Sequence, residues 1–163
     1  MTHHIAQMNV GTALYPMDDP RIAGFVDKLD EINALADGSP GFVWRLQSDS
    51  GNATDILTTD DPLFIVNMSV WETIPALFDF VYKTVHSKVM SGRRQWFARP
   101  DAAYQVLWWV PVGHVPTAEE GLARLDRLRR EGPSAAAFTF KETYPAPGVG
   151  GAPADMKPEP YCV

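Results

Sequence analysis

A chain of 163 residues, 45% of them hydrophobic, suits one globular domain that buries its core without a disulfide or metal. The net charge of −6 argues against nucleic acid as a partner, because phosphates demand a basic face. The single cysteine, Cys162, excludes an internal disulfide and a multi-thiolate metal site, and suits a reducing compartment. No basic segment followed by an apolar run opens the sequence, and no stretch approaches roughly 18 apolar residues. A cytoplasmic protein without a membrane span is expected.

Ile5 to Val10 reads as a strand with two unlike faces: Ala6, Met8 and Val10 are apolar, whereas Ile5, Gln7 and Asn9 are mixed. Tyr15 to Pro20 forms a turn in which Asp19 is an N-cap and Pro20 the first helical residue. The helix that follows carries Ile22, Phe25, Val26, Leu29, Ile32 and Ala36 at helical spacing, turns Asp27, Asp30 and Glu31 outward, and stops at Gly38. Residues 41–47 (GFVWRLQ) supply a second strand and residues 48–62 a polar connection. Residues 63–71 (LFIVNMSVW) form a third strand, antiparallel to the second. It repeats the division of faces: Phe64, Val66, Met68 and Val70 on one, Leu63, Ile65, Asn67, Ser69 and Trp71 on the other. Amides and hydroxyls that alternate with buried apolar residues either meet solvent or line a pocket.

Thr73 and Pro75 open a second helix whose apolar stripe includes Ile74, Leu77, Phe78, Val81, Val85 and Val89, ending near Ser91 and Gly92. A basic and aromatic segment, Arg93 to Phe97, follows. Residues 104–112 (YQVLWWVPV) supply a fourth strand. Thr117 and Glu120 then form a capping box before a helix carrying Leu122, Leu125 and Leu128. Residues 137–142 read as a short edge strand, and residues 145–163 as a flexible or surface-hugging tail rich in proline, glycine and alanine. A domain over residues 1–143 and a tail over 144–163 are expected.

The order βαββαβ is that of an α+β ferredoxin-like sandwich, an antiparallel sheet with both helices on one face, here with an extra C-terminal helix. With Trp44, Trp71, Trp108 or Trp109 on it, the uncovered face presents an aromatic patch unless a second subunit covers it. A homodimer whose sheets meet around internal cavities is therefore expected.

The sequence resembles the dimeric α+β barrel superfamily and, within it, a bacterial family of uncharacterised proteins related to spheroidene monooxygenase. The resemblance is carried by His4-Ile5-Ala6-Gln7-Met8-Asn9, by Asn67-Met68-Ser69-Val70-Trp71-Glu72, by Tyr82 with His86, by Arg93 and Trp96-Phe97, and by Leu107-Trp108-Trp109-Val110-Pro111. The superfamily includes haem-degrading monooxygenases, cofactor-free quinone-forming monooxygenases, chlorite dismutases and small isomerases, so the fold alone assigns no reaction. Asn9, Trp71 and His86 resemble the asparagine, tryptophan and histidine of the haem-degrading members, although Trp71 and His86 lie further apart in sequence.

Five groups of residues are candidates for chemistry. At about 100° per residue His86 lies at the edge of its helix's apolar stripe, beside Asp79 and Tyr82. There it either ligates haem iron or acts as a general base, oriented by Asp79 or Tyr82, or it is a boundary histidine bonded to Tyr82 or a carbonyl. Asn9 either donates to an oxyanion or bound oxygen, or satisfies backbone groups; Asn67 is a second polar contact. Arg93, Arg94 and Arg99 flank Trp96 and Phe97, a grouping that suits a carboxylate such as a haem propionate. Arg45 is an anion anchor if it faces the cavity, and otherwise covers apolar surface with its stem. Trp44, Trp108 and Tyr82 are candidates for contacting a flat substrate. No metal-ion site beyond haem is expected.

These residues suggest a small homodimeric monooxygenase-type enzyme acting on a hydrophobic, aromatic or polyene-like molecule, with catalytic residues His86, Asn9 and Trp71. Haem is either bound through His86, with Arg93, Trp96 and Asn67 around it, or absent, with His86 as base. A non-catalytic carrier of a hydrophobic ligand and a cofactor-free isomerase or cyclase are the alternatives.

Overall fold

The computed structural model describes residues 2–47, 60–83 and 92–158. Within them, β1 (His3–Thr12), α1 (Ala23–Asp37), β2 (Phe42–Arg45), β3 (Phe64–Trp71), α2 (Ile74–Lys83), β4 (Gln105–Pro111) and α3 (Ala118–Glu131) follow one another. The four strands form one antiparallel sheet in the order β2-β3-β1-β4. This is the ferredoxin-like βαββαβ arrangement, with α3 added.

The two faces of the strands divide as their alternation implies. Ala6, Met8, Val10, Val66, Met68, Val70, Val106 and Trp108 pack with Leu125 and Leu128 of α3. On the other face Ile5, Trp71 and Leu107 pack with Ala36 of α1 and with Leu77, Phe80 and Val81 of α2. Further along that face Ile65 and Ala13 meet Ile22, Phe97 and the half-buried Phe25. Helices α1 and α2 thus share one face, as expected.

The other face is not open. Helix α3 lies across it, and so closely that a Cβ on Gly121 would stand 2.5 Å from Met8 Cε and 3.2 Å from Met68 Sδ. The aromatic patch that was to require a second subunit is therefore covered within the chain, and that argument for a homodimer falls away. Trp44 and Trp108 lie on the side of the sheet that α3 covers, whereas Trp71 and Trp109 lie with α1 and α2.

Local differences from the sequence reading have physical causes. Asp19 caps a 3-10 turn over Pro20–Ile22, and α1 begins only at Ala23. Strand β2 is shorter than residues 41–47 and carries a register shift between Phe42 and Trp44. Gly41, just before it, has φ +82°, and a Cβ there would lie 2.6 Å from Ala76 Cβ, so glycine lets α2 close on the start of β2. Residues 137–142 form no continuous strand. Phe138 bridges Leu107 at the β4 edge, while Ser134 pairs with Ala137 and Thr139 with Glu142, which turns the chain on both sides of the bridge.

Beyond that bridge the chain follows the surface. Thr143 pairs with Ala154, Met156 N donates to Phe140 O, and Trp109 Nε1 donates to Tyr144 O at 2.9 Å. No helix among the described residues is long and apolar enough to cross a membrane.

Candidate functional site

Register brings the polar members of the mixed faces together. Residues directly opposite in an antiparallel pair share a face. Leu107, Gln7, Ser69 and Arg45 therefore form one row across β4, β1, β3 and β2, and Gln105, Asn9 and Asn67 form the next. On one side these two rows border the Ile5, Trp71 and Leu107 cluster, and on the other the cluster of Ile65 and Ala13. A polar band thus crosses a sheet face that is otherwise apolar.

Burial shows that the band is more than a solvated edge. Gln7 is 4% exposed, Ser69 8% and Gln105 6%, whereas Asn9 is half-buried and Asn67 exposed. Asn67 lies mid-strand between the buried Val66 and Met68. The band is buried at its β1, β3 and β4 positions and opens to solvent at Asn67.

Its hydrogen bonds run toward β3. Gln7 Nε2 donates to Asn67 Oδ1 at 3.0 Å and to Ser69 Oγ at 2.9 Å, and Trp71 Nε1 donates to the same hydroxyl at 2.9 Å. Among the described residues, no side-chain hydrogen bond engages the amides of Asn9 or Gln105. The two rows hold no carboxylate, imidazole or thiol.

The residues expected to form a site fall into three groups. Asn9 and Asn67 meet in one row. Arg45 ends the neighbouring row, where its Nε donates to Asp37 Oδ1 at 2.8 Å, so the guanidinium ties β2 to the end of α1. Trp71 lies one step along the face, fully buried and stacked on Phe80 with ring centroids 5.1 Å apart.

A second group lies on the same face at its margins. Tyr82 packs with Phe78 and Phe140 at centroid distances of 4.5 and 5.7 Å. Arg93 stands over Gly11, where its Nη2 donates to Val10 O at 3.1 Å and its guanidinium lies 4.3 Å from the Tyr104 ring centroid. Arg94 and Arg99 are exposed. Trp96 packs on the start of α1, with its ring 5.9 Å from that of Phe25.

The third group does not join the site. Trp44 and Trp108 are on the far side of the sheet, so they cannot contact the same molecule as Tyr82 and Arg45. Trp108 Nε1 donates to Glu120 Oε2 at 2.9 Å beneath α3. His86 lies outside the described residues, as do Val85, Val89 and Cys162. Asp79, expected to orient His86, is paired with Lys83 at 3.0 Å.

Three residues of the band were not singled out from sequence as site residues: Gln7, Ser69 and Gln105. The signal for Gln105 was present, an amide at the start of the apolar run VLWWVPV. A separate open cleft of about 410 Å³ lies at the other end of the face, between Ser39 to Gly41 and the first turns of α2. Glu72 and Asp79 make its lining acidic. Among the described residues no group of three or more histidine, cysteine, aspartate or glutamate side chains is placed to hold a metal ion.

Sheet order and helices on both faces define the class: a ferredoxin-like α+β protein whose sheet carries a polar band on the face under α1 and α2. The chain belongs to the family of a domain of unknown function, DUF3291, whose model matches residues 4–152. Two solved structures from Nitrosomonas europaea are similar over part of it. One, a protein of unknown function, has 12% identity and a TM-score of 0.43, covering 71% of this chain and 95% of its own. The other, a candidate antibiotic biosynthesis monooxygenase, has 17% identity and a TM-score of 0.44, covering 71% and 93%. No curated protein matches the chain.

Proposed function

We propose that the protein is a small-molecule enzyme of the monooxygenase type that holds a hydrophobic substrate against the polar band. One observation supports this reading above the rest: Gln7, Asn9, Asn67, Ser69 and Gln105 gather on an otherwise apolar, aromatic-flanked face that opens at Asn67. Such a lining suits an aromatic or polyene-like body carrying one or two oxygen or nitrogen atoms. Kinship with spheroidene monooxygenase belongs to the same reading. The two rows come from one chain, so the reading needs no second subunit.

The chemistry follows from the residue types. An amide N–H that donates to a substrate oxygen stabilises the negative charge left when a neighbouring C–H proton is removed, and Asn9 and Asn67 are the donors this reading assigns. His86 is the base it assigns. The carbanion so formed is the species that reacts with molecular oxygen.

Haem fits the described residues poorly. Among the described residues Arg93 is engaged with Val10 O and the Tyr104 ring, and Arg45 with Asp37, so these guanidinium groups are already committed where a propionate would need them. No step is therefore drawn through haem; a Soret band on mixing with haem, lost in His86→Ala, would restore it.

Oxygen consumption with hydroxylated aromatic and polyene compounds tests the reading. Uptake that falls at least tenfold in both Asn67→Leu and His86→Ala, with the melting transition retained, is the expected result. The absence of any acid or base from the two rows favours a second reading, a non-catalytic carrier. Binding without turnover, indifferent to His86→Ala, would establish it. Turnover without oxygen uptake would point instead to an isomerase or cyclase.

A further inference from the structure

The cleft beside α2 is a place for a ligand apart from the polar band, and its chemistry is different. It holds about 410 Å³ between the Ser39–Gly41 turn and α2, a volume that suits a small molecule. One wall is a single helix face, because Ala76, Asp79 and Phe80 stand three and four residues apart. Phe80, 9% exposed and stacked on Trp71, is the most deeply buried residue of the lining, and Pro40 and Ala76 add apolar surface above it.

Both walls are held in place by the fold itself. Glu72 N donates to Gly41 O at 2.7 Å, Phe42 N to Ser39 O at 3.2 Å, and Ser39 Oγ to Leu35 O at 2.6 Å. Thr73 Oγ1 accepts from Ala76 N and Thr73 O from Leu77 N, while Pro75 has no N–H to give. The neutral polar groups of the cleft are thus spent on one another, and what they leave is negative charge. Among the described residues the Glu72 carboxylate makes no hydrogen bond or ion pair. Asp79 pairs with Lys83 at 3.0 Å, an exposed contact that another cation can replace at little cost. No residue of the lining is cationic.

That combination selects its occupant. An anion would meet two carboxylates and few free helix N–H groups. A neutral apolar molecule would draw the carboxylates out of water without return. A bare metal ion would find no third histidine, cysteine or acidic ligand among the described residues. A protonated amine with a flat apolar body matches both parts, its ammonium beside Glu72 and Asp79 and its body against Phe80 and Pro40. We propose that the α2 cleft binds an organic ammonium compound of this kind.

Calorimetric titration of the full chain with three probes that share one ring system tests this: naphthylmethylamine, naphthylmethanol and naphthoate. At low salt the amine is expected to bind about tenfold tighter than the alcohol, and naphthoate weakest. Glu72→Gln and Asp79→Asn, exposed changes that keep shape and leave the melting transition in place, should together bring amine and alcohol to within about twofold. Asn67→Leu, in the polar band, should leave amine binding unchanged. Equal binding of amine and alcohol by the wild type would overturn the assignment, as would an amine preference that survives the double substitution or no binding of the amine at all. An amine preference abolished by Asn67→Leu would overturn it too, by moving the ligand to the band.

Discussion

Ser69 Oγ is where two donors converge: the indole of the fully buried Trp71 and the amide of Gln7, each at 2.9 Å. Gln7 Nε2 has a second acceptor in Asn67 Oδ1, whereas Ser69 is the acceptor on which Trp71 Nε1 depends. Ser69→Ala is therefore expected to lower stability by about 1–3 kcal/mol, the cost of stranding a buried donor, as measured by urea unfolding. A loss below about 0.5 kcal/mol would show that water reaches the indole and that the band is wetter than its burial implies. Asp19 gives a residue-scale pH effect. Hydrogen bonds from the Arg21 guanidinium and its backbone N–H hold the Asp19 carboxyl down from 3.8 to about 2. A folded-state pKa below the unfolded one stabilises the fold above the unfolded value, and that contribution is lost as pH falls from about 4 through 2. Melting temperatures of the wild type and Asp19→Asn should differ at pH 6 and converge toward pH 2; a difference constant across that range would mean the cap acts without its charge.

At the scale of elements, α3 shows how a local signature is redirected by tertiary context. Thr117 Oγ1 accepts from Glu120 N at 3.1 Å, as a capping box requires, but the Glu120 carboxylate does not return the bond. It accepts instead from Trp108 Nε1 at 2.9 Å, and pairs with His114 Nε2 at 2.8 Å. Loss of the cap in Thr117→Ala is expected to cost about 1 kcal/mol, and Glu120→Ala more, because it strands the indole of a fully buried tryptophan. A shift in tryptophan emission should accompany the second change and not the first. The Thr117 cap was legible because capping is read within four residues; the Trp108 contact was not, since it depends on how α3 crosses the sheet. The same distinction governs the site. Period-2 alternation placed Gln7 and Asn9, and likewise Asn67 and Ser69, on the mixed faces of β1 and β3. What no short window holds is the register that sets Asn9 opposite Gln105 and Gln7 opposite Ser69. The sides taken by Trp44 and Trp108 were open for a related reason: alternation shows which residues share a face, not which helix covers it.

For the whole molecule, α3 decides how the sheet meets its surroundings. A ferredoxin-like unit with two helices leaves one sheet face to solvent or to a partner, and here that face carries Ala6, Met8, Val66, Met68, Val106 and the indole of Trp108, too large an apolar surface to expose. Leu125 and Leu128, 2% and 5% exposed, bury it from within the chain. The purified protein is accordingly expected to run as a monomer of 18.1 kDa by light scattering. Leu125→Ala should lower stability by about 2–5 kcal/mol through the cavity it leaves. Leu125→Asp tests the coverage more sharply, because a carboxylate cannot stay against the methionines of the sheet. If α3 is the cover, this variant should lose its seat there and self-associate through the bared sheet. The amine probe of the α2 cleft should still bind it, because that cleft lies on the opposite face. A wild-type dimer that Leu125→Asp leaves intact would place the subunit contact elsewhere on the molecule and separate the question of assembly from that of the covered face.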